Sequence, residues 1–157
     1  MRDVMSLEIT PSPLDVRHIA AAGLTEPPGA TWSNALVVGR EVVLSGVTAR
    51  GADGAPIGGQ YAGAQTRAIF ARMDALMKAA GGGLENIFKL VIYVTDAAFK
   101  DDVNAARKAC FQALYPASTL IVVKGFAFPG LLVEVDAFAH LDANLHAAAA
   151  RAATPGD

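Results

Sequence analysis

The run Ile87 to Thr95 (IFKLVIYVT) limits the possible folds more than any other segment. Its β-branched residues disfavour a helix, and both alternating sets of positions are apolar, as in a strand covered on both faces. Ser118 to Val123 is also apolar on both sides. A helix layer covers only one side of a sheet, so these strands need a second cover. The remaining segments decide where it comes from.

Trp32 to Val38 and Glu41 to Ser45 flank Gly39-Arg40 and read as a tight hairpin, with Gly46 ending its second strand. Arg50 to Gly59 is a turn-rich loop centred on Asp53-Gly54. Over Gln60 to Ala80, the residues Ile69, Met73, Leu76, Met77 and Ala80 recur at helical spacing. Gly81-Gly82-Gly83 then closes that helix. The triplet follows a helix and lacks the Gly-Lys-Ser/Thr of a phosphate loop. Thr95 or Asp96 caps a second helix, Ala98 to Leu114, whose stripe is Val103, Ala106, Cys110 and Leu114 and whose end is Tyr115-Pro116. Asp101-Asp102 suits the start of that helix. Strands Ser118 to Val123 and Leu131 to His140, joined by the loop Lys124 to Gly130, complete the order.

The expected architecture is one α+β domain with two helices on one face of the sheet. Residues 1–30 read as an irregular arm, 31–141 as the domain and 142–157 as an Ala-rich tail whose order helix propensity alone does not settle. With 53% hydrophobic residues and a mean hydropathy of +0.35, the uncovered face is expected to meet copies of itself in a closed cyclic oligomer.

Charge and cysteine content narrow the function. Lys and Arg total 13 against 15 Asp and Glu, a net −2, which offers no general attraction for nucleic acid or anionic lipid. No secretory signal or membrane span is legible, and the single cysteine, Cys110, excludes an intrachain disulfide, so a cytoplasmic protein is expected. No metal site is expected from three scattered histidines. His18 and His146 read as solvated, His140 as peripheral or hydrogen-bonded, and Cys110 as a small core residue.

The last strand carries the informative polar groups. Alternation places Leu132, Glu134, Asp136, Phe138 and His140 on one side and Val133, Val135, Ala137 and Ala139 on the other. The small aliphatic side suits packing beneath helices, which puts the carboxylates on the face assigned to subunit contacts. A carboxyl in a partly dry crevice either finds a donor or has its pKa raised, and the second condition serves acid/base catalysis. Glu134 is therefore both a catalytic candidate and a candidate for a structural ion pair with Lys89 or Lys124.

Several motifs occur together in a fixed order: Trp32-Ser33-Asn34-Ala35, Val42-Val43-Leu44-Ser45-Gly46, Ala64-Gln65-Thr66-Arg67, Lys89 to Thr95, Val103-Asn104, Tyr115-Pro116-Ala117-Ser118-Thr119 and Leu132 to Ala139. Over about Trp32 to Leu141 the chain resembles the Rid/YjgF family, also called L-PSP or reactive-intermediate deaminases. The resemblance implies a chorismate-mutase-like fold, a homotrimer with clefts between subunits, and cofactor-free hydrolysis of enamines and imines such as 2-aminoacrylate to a 2-oxo acid and ammonia. In that family an arginine of a Pro-Ala-Arg-Ser motif grips the substrate carboxylate, and the first glutamate of the last strand positions or activates water.

Carried over, the glutamate is Glu134. Ser45 and Gly46 match the cleft Ser-Gly, Trp32 stands at an aromatic position, and Asn104 matches a helix asparagine. The arginine is absent: Ser118 stands in its place, followed by Thr119, and Leu120 replaces a small or thiol residue. A serine hydroxyl cannot supply a guanidinium's charge. Arg50 and Lys124 are the cations weighed as replacements.

The leading expectation is a hydrolase of a small imine-like metabolite. Glu134 would be its base or water-orienting group, Ser118 and Thr119 its donors, and Ser45 and Trp32 part of the wall. The alternative is a non-catalytic metabolite-binding or regulatory trimer, with an RNA-cleaving activity ranked last.

Overall fold

In the computed structural model, residues 13–112 and 114–153 are described. Residues 1–12 of the arm and the closing Thr154 to Asp157 lie outside them. The chain forms a six-stranded sheet in the order β1-β2-β3-β6-β4-β5, comprising Val16–Ile19, Ala35–Val38, Glu41–Thr48, Val133–His140, Ile87–Val94 and Ala117–Val122. Only β4 and β5 run parallel. Helices α1 (Ala62–Ala80) and α2 (Lys100–Cys110) pack together, and α1 covers β3 and β6. A third helix, α3 (Leu145–Ala152), orders the Ala-rich tail, capped by the Asn144 side chain. None of the helices among the described residues is long and apolar enough to cross a membrane.

The helical stripe of α1 forms the core as its spacing predicts, with Ile69, Met73, Leu76, Met77 and Ala80 all buried. Gly81 ends the helix in the left-handed conformation at φ 100°, and the Gly82 amide reaches the Met77 carbonyl at 2.8 Å. Gly39 turns the hairpin at φ 61°. The small-residue side of β6 is fully buried under the helices, and its polar side is left partly open.

Four expectations need correction. The arm is not wholly irregular: Val16–Ile19 pairs antiparallel with β2, and Arg17 donates to the Ala80 carbonyl at the end of α1. The first hairpin strand begins at Ala35, leaving Trp32 in the preceding loop. Its partner does not stop at Gly46 but continues to Thr48 through a bulge, because Leu44 pairs with Ala137 and Val47 with Val135. The second helix ends at Cys110, so Leu114 is exposed and Phe111 takes the buried position, edge-on to Phe70 at 5.1 Å. Phe111 lies beyond the helix, so helical periodicity could not register its burial.

Candidate functional site

The bulge makes the site. One extra residue in β3 at Ser45-Gly46 shifts its register and opens the strand beside Glu134 of β6. A Cβ at Gly46 would lie 2.1 Å from Glu134 Oε1, so only glycine leaves room for the carboxyl there. Ser45 is held from the other side: its amide donates to the Asn34 carbonyl at 2.9 Å and its hydroxyl to the Ser33 carbonyl at 2.6 Å. Trp32 Nε1 donates to Asn34 Oδ1. Trp32, Ser45, Gly46 and Glu134 thus line one cavity of about 520 Å³.

Electrostatics separate the carboxyls in and beside this cavity. Burial raises the Glu134 pKa, and the neighbouring Asp136 charge raises it further. Asp136 accepts the Tyr93 hydroxyl at 2.9 Å, a bond that raises the Tyr93 pKa. Glu26, on the same cavity wall, is shifted the other way: the Asn34 amide bonded to its Oε1 lowers its pKa. The two carboxyls of this cavity are thus shifted in opposite directions, Glu26 toward its charged form and Glu134 toward its neutral one.

Two arginines line the same cavity. The Arg50 guanidinium carbon sits 3.6 Å from the centre of the Phe128 ring, a stacked cation–π contact. Arg72, whose pKa burial lowers, donates to the Thr48 carbonyl at 2.9 Å and to the Arg50 carbonyl, tying α1 to the end of β3. Of the two cations weighed as replacement charges, Arg50 lines the cavity and Lys124 does not. Glu26, Arg72 and Phe128 were missed by sequence reasoning. They converge from the arm, a helix and a loop, and no local spacing links them.

The other named residues lie elsewhere. Asn104 and Ser118 line a second cavity of about 440 Å³ with Arg107, Lys108, Tyr115 and Pro116. Thr119 accepts from Lys89 Nζ at 2.7 Å. Among the described residues no ion pair joins Glu134 to Lys89 or Lys124, so that structural role is not realised within one chain. His140 accepts the Asp142 amide, and His18 lies 2.9 Å from Glu26 while remaining half exposed. Cys110 is half-buried, and burial raises its pKa against the opposing Arg67 charge.

Residues 24–141 match the family model described as Endoribonuclease L-PSP. A solved protein of unknown function, PA3499 from Pseudomonas aeruginosa, is 46% identical, with 84% of this chain and 96% of that one covered and a TM-score of 0.78. RidA from an Antarctic Psychrobacter is 26% identical over 79% of this chain and 98% of its own, at TM-score 0.71. An uncharacterized Streptomyces coelicolor protein, SCO2049, is 28% identical over 69% of this chain and 81% of its own.

Proposed function

The chain belongs to the endoribonuclease L-PSP family, that of the Rid and YjgF proteins, and from that premise we propose that it hydrolyses a small imine, enamine or related reactive metabolite in the cytoplasm. The observation that carries this reading is the Glu134 carboxyl set over Gly46, partly dry, with its pKa raised. A carboxyl so placed can give a proton to an imine nitrogen and then, as carboxylate, take one from the water that attacks the imine carbon. The resulting carbinolamine collapses to a carbonyl as the nitrogen leaves, so imine and water become a carbonyl compound and ammonia. No cofactor is needed for that balance.

The working unit in this proposal is a homotrimer with the small-molecule site in the seams. What supports it is the apolar open side of the sheet, where Val43 and Phe138 lie opposite each other in register and both are exposed.

The family's description also carries an RNA-cleaving activity. The Glu134 cavity is lined by Glu26, Glu134, Arg50 and Arg72, whose formal charges cancel, which is a poor track for a phosphate backbone. The loss of the family arginine to Ser118 favours a different second reading, a trimer that binds a metabolite without turning it over.

Ammonia release from freshly generated 2-aminoacrylate and 2-iminopropanoate tests the proposal. Turnover that Glu134→Gln lowers at least a hundredfold is expected. Turnover indifferent to that change would falsify the reading, and thermal stabilisation by ligand without any turnover would establish the binder instead.

A further inference from the structure

The second cavity contains a feature that Ser118 alone does not reveal. Arg107 of α2 donates through Nη1 to Ser118 Oγ at 2.6 Å and through Nη2 to Asn104 Oδ1. Its remaining N–H groups have no partner among the described residues. The two contacts fix the plane of a guanidinium beside the serine that stands where the family places its arginine. Lys108 and Tyr115 line the same cavity, and none of its lining residues is acidic. Two cations with no acidic residue among the lining form a site for an anion. A planar, pre-oriented guanidinium matches paired oxygens such as those of a carboxylate or a phosphate, and the hydrolase reading makes that anion a carboxylate.

We propose that Arg107, held by Ser118 and Asn104, is the specificity-determining residue that grips the substrate's carboxylate, so that the charge lost from β5 is supplied from α2. The inference rests on the hydrolase reading and its trimer. Ser118 pairs in register with Leu90, which is fully buried on the helix side, whereas Glu134 pairs with Tyr93 on the open side. The two groups also stand two strand spacings apart, about 10 Å. A small acid therefore cannot bridge Arg107 and Glu134 within one copy. It touches both only where the β5 edge of one copy meets the β3–β6 cavity of the next.

Binding is read separately from turnover, using 2-oxobutanoate and its neutral amide as probes on the full-length protein, by calorimetry. Wild-type protein is expected to prefer the acid. Arg107→Met should weaken acid binding about ten- to hundredfold while leaving the amide's affinity in place. Adding Ser118→Arg to Arg107→Met should return much of the lost affinity, a rescue that a misfolded variant would not show. Arg107→Lys, which keeps the charge without the fork, should fall between. Acid binding undiminished in Arg107→Met, or wild-type protein that binds acid and amide alike, overturns the proposal. Selective acid binding that depends on Arg107, in a protein that releases no ammonia, sinks the hydrolase reading and leaves this one standing.

Mixed oligomers test the shared seam. Chains carrying Glu134→Gln and chains carrying Arg107→Met, assembled together, should regain turnover at low substrate that neither shows alone. No regain, where wild-type protein turns over, overturns the pairing across copies.

Discussion

Glu134 and Gly46 decide one another's behaviour. The Gly46 backbone lies outside the left-handed region, so alanine is tolerated conformationally, but its Cβ would displace the end of the Glu134 side chain. Gly46→Ala is expected to fold with near-normal stability and, on the proposed hydrolase reading, to lose turnover on the order of a hundredfold, the cost of a misplaced carboxyl. Thermal denaturation alongside kinetics separates the two effects. The raised Glu134 pKa also fixes the sign of a stability effect. Between the ordinary glutamate value of 4.5 and the raised value, the folded chain holds the proton that the unfolded chain has released, so Glu134 makes stability fall as pH rises through that window. Glu134→Gln should therefore stabilise the protein at neutral pH and lose that gain below the ordinary glutamate value. Denaturant midpoints at both pH values check it, and a substitution that destabilises at neutral pH would contradict the burial argument.

At the scale of elements, Gln65 shows how a helix secures the loops around the site. It is fully buried on α1, donating to the Gly59 and Gly130 carbonyls at 2.7 and 2.8 Å and accepting the Leu132 amide at 2.9 Å. One amide side chain thus fastens the loop before α1 to the chain entering β6. Gln65→Leu, which removes all three partners from a dry site, should cost about 3 kcal/mol by denaturant titration. Local pattern revealed α1, α2 and the central strands because each repeats over many residues. It did not reveal β1, because Val16–Ile19 is too short to show a period and becomes a strand by pairing with β2. The bulge was hidden for a similar reason: Ser45-Gly46 looks like a strand end, and only the register against β6 shows the strand resuming.

For the whole molecule, the open face is the surface that the proposed trimer would bury. Ile121 lies in register with Tyr93, and together with Val43 and Phe138 it leaves large apolar side chains exposed on a sheet whose helices cover the other side. Sedimentation equilibrium should give a trimer, and Phe138→Asp should shift it to monomer by placing an unpaired carboxylate in the seam. A monomeric wild-type protein at micromolar concentration would remove the shared site.

Periodicity and alternation were enough for the sequence by itself to determine the α+β class, the core stripe of α1 and the two-sided character of β6 that puts Glu134 on its open side, since those signals are local. Where the charges meet was decided only by tertiary structure. Arg50 and Arg72 reach the Glu134 cavity, and Arg107 reaches Ser118 instead, through contacts between residues far apart in the chain. No spacing along the sequence encodes a meeting that depends on how a helix lies against a sheet edge.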